Sequence, residues 1–278
     1  MIDLHTHSIY SDGTCTPQEI IDEAERLGLS AVALCDHNTV DGLREFVNAA
    51  EGSSVEAVTG IEFTTEYKGH ELHLLALWVK EEHFERITQM MGEVRRKKEE
   101  SNIRLVEKLS ALGYSLSYPE LKAKTPSGYI NRAHIAAALT EKGYTASINE
   151  AFTTLLDPKQ GLYEEPERLG TLDMISEIKS MGAIAVLAHP FLNLTEEEFR
   201  EFLPEAKERG LDGFEVYYTT YSEEQTETAR KIAEEFGLCA SGGSDFHGAN
   251  KPGIFLGMGK GNLSIDDEIS VSLKNIII

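Results

Sequence analysis

The chain has 278 residues, 41% of them hydrophobic, and a formal charge of −21 from 26 basic and 47 acidic side chains. That length builds one large α/β domain, or a domain with a sizeable insert; no apolar run reaches the ~20 residues of a membrane span, and no basic region precedes an apolar stretch at the N-terminus, so no secretory signal is expected. Such an acidic body repels nucleic acid unless a local group of divalent cations reverses the field, and three cysteines, Cys15, Cys35 and Cys239, odd in number and without a CxxC pair, argue against a disulfide framework or a thiolate zinc site and for a reducing cytoplasm.

In chain order, "MIDLHTHS" (1–8) reads as a strand. Residues 16–30 read as a helix, with Thr16 as N-cap, Pro17 at the first helical position and Glu19 completing a capping box. Ile20, Ile21, Ala24 and Leu27 supply its apolar stripe. "AVALCDH" (31–37) is a second buried strand, followed by a helix from about Val40 to Ala50. Residues 56–79 read as two strands joined by a turn at Lys68-Gly69. From 82 to 168 the pattern is almost entirely helical and includes the basic run Arg95-Arg96-Lys97-Lys98, which reads equally as a solvated helix face. Strands and helices alternate again from "TLDMISEIKSMG" to "LCASGGSDFHG" (171–248). The alternation predicts parallel βαβ units closing into a barrel. The expected organisation is a barrel first part over 1–81, a helical insertion over 82–168 and a barrel second part over 169–278.

Nine histidines are present, and several fall at strand ends. His5 and His7 are two apart and so share a strand face. His37 ends the second strand, His73 lies in "HELHLLAL", His189 follows "AIAVLA", and Asp245 and His247 close "ASGGSDFH". Glu62 ends "AVTGI", and Asp12 follows the first strand. Carboxyl ends of strands are where parallel α/β folds bind ligands. Any one of these residues alone reads as an ordinary polar side chain at a strand end. Together they are six histidines, two aspartates and one glutamate at one rim, a set that metal ions would satisfy at once. Imidazole and carboxylate without thiolate suit Zn²⁺, Mn²⁺ or Fe²⁺. Nine ligands exceed one ion with an open position; two or three divalent ions fit, with a carboxylate bridging. Such sites clamp a phosphoryl oxygen and generate a hydroxide nucleophile near neutral pH. Cys35 reads as a core residue, and Asp36 equally as a support for a ligand or as a turn contact.

The motifs "DLHTHS" with "SDG", "CDHNT", "GIEFT", "HLL", "LAHP" and "GGSDFH" occur in this order over 1–80 and 180–250. In them the sequence resembles the polymerase and histidinol phosphatase (PHP) family of metal-dependent phosphoesterases. The resemblance implies a distorted (β/α)7 barrel and a ligand partition: His5, His7, Glu62 and Asp245 on one ion, Glu62, His73 and His189 on a second, Asp12, His37 and His247 on a third. It favours His73 over His70. The helical insertion resembles a branch acting on nucleoside 5′-monophosphates, 3′,5′-bisphosphates and the 5′ ends of short RNA. There "SGYINRAHIAAAL" implies substrate contacts from Arg132 and His134, the latter also a candidate proton donor. Asn131 and Ala133 stand where the branch has glycine and proline, and its arginine pair becomes Lys98 and Ser101. Lys98, Asp12 and His247 complete the expected substrate contacts. The implied activity is hydrolysis of a terminal phosphate from a nucleotide or short oligonucleotide; the alternatives are a histidinol phosphatase and a non-catalytic metal- or nucleotide-binding module. The implied partners are small phosphorylated molecules and short RNA, without membrane or duplex DNA.

Overall fold

The computed structural model describes residues 1–124, 130, 132–166 and 168–277. Met1–Thr88 with Leu169–Ile278 form one compact unit, and Gln89–Arg168 a second. The first unit opens with β1 (Ile2–Thr6), α1 (Pro17–Leu27), β2 (Ala31–Leu34), α2 (Leu43–Ala49), β3 (Glu56–Tyr67) and β4 (His70–Leu77). The long α3 (Phe84–Ala111) begins there and runs into the second unit, which adds α4 (Tyr118–Lys124), α5 (Arg132–Glu141) and α6 (Ile148–Thr153). The first unit resumes with β5 (Leu169–Gly170), α7 (Thr171–Ser180), β6 (Ile184–Leu187), α8 (Glu196–Glu208), β7 (Gly213–Tyr218), α9 (Glu223–Phe236), β8 (Cys239–Gly243) and α10 (Asp267–Lys274).

Local chemistry sets the boundaries. Thr16 Oγ1 accepts from the Glu19 amide and Glu19 Oε2 accepts from the Thr16 amide, the reciprocal pair that starts α1. The helix stops at Gly28, whose φ of 70° suits glycine. Thr195 with Glu198 and Ser222 with Gln225 start α8 and α9 in the same way.

Seven strands form the barrel in the order β1-β2-β3-β4-β6-β7-β8, with β5 pairing β3 at the side. The pairs β1/β2, β2/β3, β6/β7 and β7/β8 are parallel. The hairpin expected at Lys68-Gly69 sets β4 antiparallel to β3, and β4 is antiparallel to β6 as well, a departure from the parallel pairing of the other barrel strands. Lys68 and Gly69, with φ of 48° and 87°, form the turn between β3 and β4. So short a connection returns the chain beside the strand it left and cannot supply a parallel crossover. β1 meets the end of β8 through a parallel bridge, Thr6 to Phe246, and the bond from the Asp245 amide to the His5 carbonyl at 2.8 Å. That approach needs Gly243, where a Cβ would lie 2.4 Å from His5 Cβ.

Ile2, Leu4, Ala33, Cys35, Val58, Leu75, Val186 and Ala188 pack as a buried cluster in the first unit. Each large side chain among them contributes roughly 1.5–3 kcal/mol on burial. The second unit has its own core, in which Leu105, Leu109, Ile135, Leu139 and Leu156 are fully buried.

Candidate metal centre

The nine residues singled out by the sequence meet in the first unit. Glu62, buried on β3, lies at the middle. Its Oε1 is 2.8 Å from His73 Nδ1 and 3.1 Å from His189 Nε2. Its Oε2 is 3.3 Å from His5 Nε2, 3.2 Å from His7 Nε2 and 3.0 Å from His37 Nδ1. One carboxylate therefore faces five imidazoles, two on one oxygen and three on the other. Asp245 Oδ1 lies 3.3 Å from His7 Nε2, 3.7 Å from His5 Nε2 and 3.3 Å from His247 Nδ1. Asp12 closes the far side, 3.2 Å from His247 Nε2 and 3.8 Å from both His7 Nδ1 and His37 Nε2.

The topology explains this convergence. His5 is in β1 and His7 just beyond it; His37, His189, Asp245 and His247 follow the carboxyl ends of β2, β6 and β8. Glu62 lies inside the long β3, at the level where its bridge to His37 ends the pairing with β2. His73 is a second departure from the carboxyl-end expectation, since it sits near the start of β4. The reversal of β4 brings that start to the rim where the parallel strands end. Backbone strain marks the site too: Asn38, His189 and Asp245 have φ of 53°, 29° and 55°, a region L-residues avoid.

Among the described residues, three sets of atoms could each hold a cation: His7, Asp12, His37 and His247; His5, His7 and Asp245; His37, Glu62 and His73. The ring atoms fit that use. His5 Nε2, His7 Nδ1 and Nε2, His37 Nδ1, His247 Nε2 and Glu62 Oε2 are buried without a hydrogen-bond partner. Leaving so many polar atoms bare is costly, and a cation between them satisfies several together. Most of the cluster is buried, but Asp12 is 56% and His37 27% exposed, so the site opens on that side.

In the metal-free chain the same proximity shifts the titrations. Burial opposes a charge on His5, yet Glu215, Glu62 and Asp245 outweigh it and hold its pKa well above the usual imidazole range. Burial likewise opposes a charge on His73, and Glu62 and Glu71 push its pKa up to about 10. Glu62 is desolvated, but His37, His5 and His73 hold its pKa well below normal. Asp245 is held low against burial by His5 and His7, and Asp12 by His247, His37 and His7.

Several supporting residues escaped the sequence reading. Glu215 on β7 accepts from His5 Nδ1 at 3.0 Å and from the His189 amide at 2.7 Å. It fixes the His5 ring with Nε2 toward Glu62 and Asp245. Tyr218 OH donates to Asp245 Oδ2 at 2.7 Å, and Lys251 Nζ lies 2.7 Å from the same oxygen. His247 Nδ1 is 2.8 Å from the Asp245 carbonyl oxygen, which aims Nε2 at Asp12. A lone acid inside "GFEVYY" was the available signal for Glu215; for Tyr218 and Lys251 the sequence offered none. Asp36 bonds across to the loop after β1: its carboxylate accepts from the Ser8 amide, the Ser8 hydroxyl and the Ser11 hydroxyl. Those bonds hold the loop that carries Asp12. Cys35 is fully buried with its thiol pKa pushed up by burial, a core residue. His70 lies outside the cluster, 3.1 Å from the Asn193 carbonyl oxygen and 3.5 Å from Glu198.

Lys98, Arg132 and His134 belong to the second unit. The Arg132 guanidinium lies 4.4 Å from the Tyr163 ring centre and 5.8 Å from that of Phe152. Lys98 on α3 and His134 on α5 are half-buried. Ser101 is buried and donates to the Glu164 carbonyl, so it ties the second unit together. In the basic run, Arg95 is exposed and Arg96 pairs with Glu100 at 2.6 Å, one turn on, as a solvated helix face does. Asn131 lies outside the described residues.

A family model described as "PHP domain" matches residues 3–157. The chain belongs to the PHP domain family. It is 31% identical over 96% of its length, and 96% of the relative's, to a 5′-3′ exoribonuclease from Haemophilus influenzae. A 3′,5′-nucleoside bisphosphate phosphatase from Chromobacterium violaceum is 27% identical over 92% of this chain and 90% of its own. A solved structure from Bifidobacterium adolescentis, named for the metal-dependent phosphoesterases, superimposes with a TM-score of 0.72 at 30% identity, covering 98% of this chain and 94% of that one. This PHP protein is accordingly an α/β-barrel hydrolase of the metal-dependent phosphoesterase class. No helix among its described residues is long and apolar enough to cross a membrane.

Proposed function

We propose that the chain hydrolyses the terminal phosphate of a nucleoside 5′-monophosphate or 3′,5′-bisphosphate, or the 5′ end of a short oligonucleotide, with two or three divalent ions held by the Glu62 cluster. The observation that carries this reading is the division of Glu62, one oxygen toward His73 and His189 and the other toward His5, His7 and His37. A carboxylate so placed suits a bridge between two cations. His5, His7 and Asp245 would share the Oε2 side, His73 and His189 the Oε1 side, and Asp12, His37 and His247 a third position. His7 and His37 each reach two of these groups, so they tie the positions into one site. Oxygen and nitrogen donors without sulfur suit Mn²⁺, Fe²⁺ or Zn²⁺. Such ions, when bound, activate water and draw charge from a phosphoryl oxygen.

The chain's own residues do the rest. Glu215 and the Asp245 carbonyl orient the rings of His5 and His247. Asp36, through Ser8 and Ser11, fixes the loop that presents Asp12 at the open side, where substrate enters beside His247. The buried walls exclude bulk water and strengthen the field acting on the phosphate. For Arg132, Lys98 and His134 as substrate contacts, for His134 as proton donor, and for residues 82–168 as an insertion serving recognition, the support is sequence similarity. A nucleotide substrate is supported by the names of the two relatives. Three free cysteines suit a reducing compartment.

The test is phosphate release by the manganese-loaded protein from adenosine 5′-monophosphate, adenosine 3′,5′-bisphosphate, a short 5′-phosphorylated RNA and histidinol phosphate. Turnover of the nucleotide or RNA substrates above histidinol phosphate is expected. Preference for histidinol phosphate would transfer the chain to the alternative activity, and no turnover of any would leave a binding module.

A further inference from the structure

Asp245 divides its two oxygens between different tasks. Oδ1 faces His5, His7 and His247, while Oδ2 accepts from Tyr218 OH and meets Lys251 Nζ, both at 2.7 Å. Tyr218 already gives Oδ2 a neutral donor, so the ammonium adds charge to a carboxylate that is not bare. An ammonium carries three N–H donors, and the Lys251 side chain is 39% exposed. It therefore reaches solvent at the edge of a buried cluster.

The segment that presents it is distinctive in this chain. Residues 246–264 contain Lys251 and Lys260 and no aspartate or glutamate, although the whole protein has 47 acids. The segment is also tied down. Asn250 Nδ2 donates to the Asp12 carbonyl at 2.8 Å, and the Ala249 amide donates to Thr14 Oγ1 at 2.8 Å. Gly248, at φ 62°, permits the approach, since a Cβ there would lie 2.1 Å from Thr14 Oγ1. Lys251 is thus anchored through one neighbour to the Asp12 loop and through its own amine to Asp245.

A phosphate dianion approaching a chain of charge −21 is repelled by the body of the protein, and by Asp12 and Asp245 at the site itself. A fixed point charge beside Asp245 offsets the second repulsion and offers free donors to an oxygen that the cluster does not take. We propose that Lys251 holds a non-bridging oxygen of the substrate's terminal phosphate, as a substrate-contacting residue supplied by the loop after β8. This rests on the phosphoesterase reading above and adds a residue to that site.

The test uses inorganic phosphate, which needs no turnover. Its binding to manganese-loaded wild type, Lys251→Met and Lys251→Arg is measured by calorimetry, with metal content determined on the same samples. Lys251→Met should keep the wild-type metal content, bind phosphate about tenfold more weakly or worse, and raise KM more than it lowers kcat. Lys251→Arg should recover part of the affinity. Unchanged phosphate affinity in Lys251→Met, or loss of its metal, would overturn the proposal; the latter would make the lysine a support for Asp245. Lys251-dependent phosphate binding by a wild type that hydrolyses no phosphoester would sink the phosphoesterase reading and leave this contact standing.

Discussion

At the residue scale, five imidazoles around one buried carboxylate are a costly arrangement unless cations lie among them. Glu62 lies at its centre: burial opposes its charge, and in the metal-free chain His37, His5 and His73 overcome that opposition and hold its pKa low, a task that cations would take over. Replacing Glu62 by Gln keeps the shape and removes the charge that two positions share. The expected result is loss of bound metal and of phosphate release in a folded protein, checked by elemental analysis and circular dichroism. Glu215→Gln should be milder. It weakens the partner of His5 Nδ1, and metal affinity should fall about 10–100-fold, read from a chelator competition. The nine residues proposed to hold the ions could be singled out because histidine and acid recurred at strand ends and matched family motifs, and the fold brings them together. Glu215 was visible as an isolated acid in a buried strand, but its partner, His5, lies at the other end of the chain, and only the closed barrel brings the two together.

At the element scale, the caps of α1, the hairpin at Lys68-Gly69 and the alternation of strand and helix were all readable, since each is set by residues a few positions apart. The direction of β4 against β3 follows from that same short turn; its antiparallel pairing with β6 was not readable, because those two strands lie far apart in the chain. The reversal matters to the site because it delivers His73 from the beginning of a strand. Closure of the barrel depends on long-range packing and was not readable beyond its family pattern. It predicts that Gly243→Ala, which would set a methyl group 2.4 Å from His5 Cβ, destabilises the fold by about 1–3 kcal/mol and lowers metal affinity with it. Urea unfolding with and without manganese checks both effects.

At the scale of the whole molecule, folding, metal and protons are linked. Raised imidazole pKa values contribute stability below the unfolded value near 6.5, lost as pH rises through the folded ones, about 10 at His73. Depressed carboxylates contribute above their unfolded values near 4.5 and 3.8, lost as pH falls through the folded ones. The chelated protein should therefore be most stable between about pH 4.5 and 6.5, and its urea midpoint should decline toward pH 9; a steady rise over that range would contradict the assignment. Metal must displace those protons, so manganese binding should release protons and tighten as pH rises. The most direct measurement is the number of manganese ions retained per chain by the wild type and by Glu62→Gln after loading and desalting. Two or more in the wild type, with most of them lost in the variant, is the predicted result; fewer than two in the wild type, or an undiminished number in the variant, would contradict a metal centre built on Glu62.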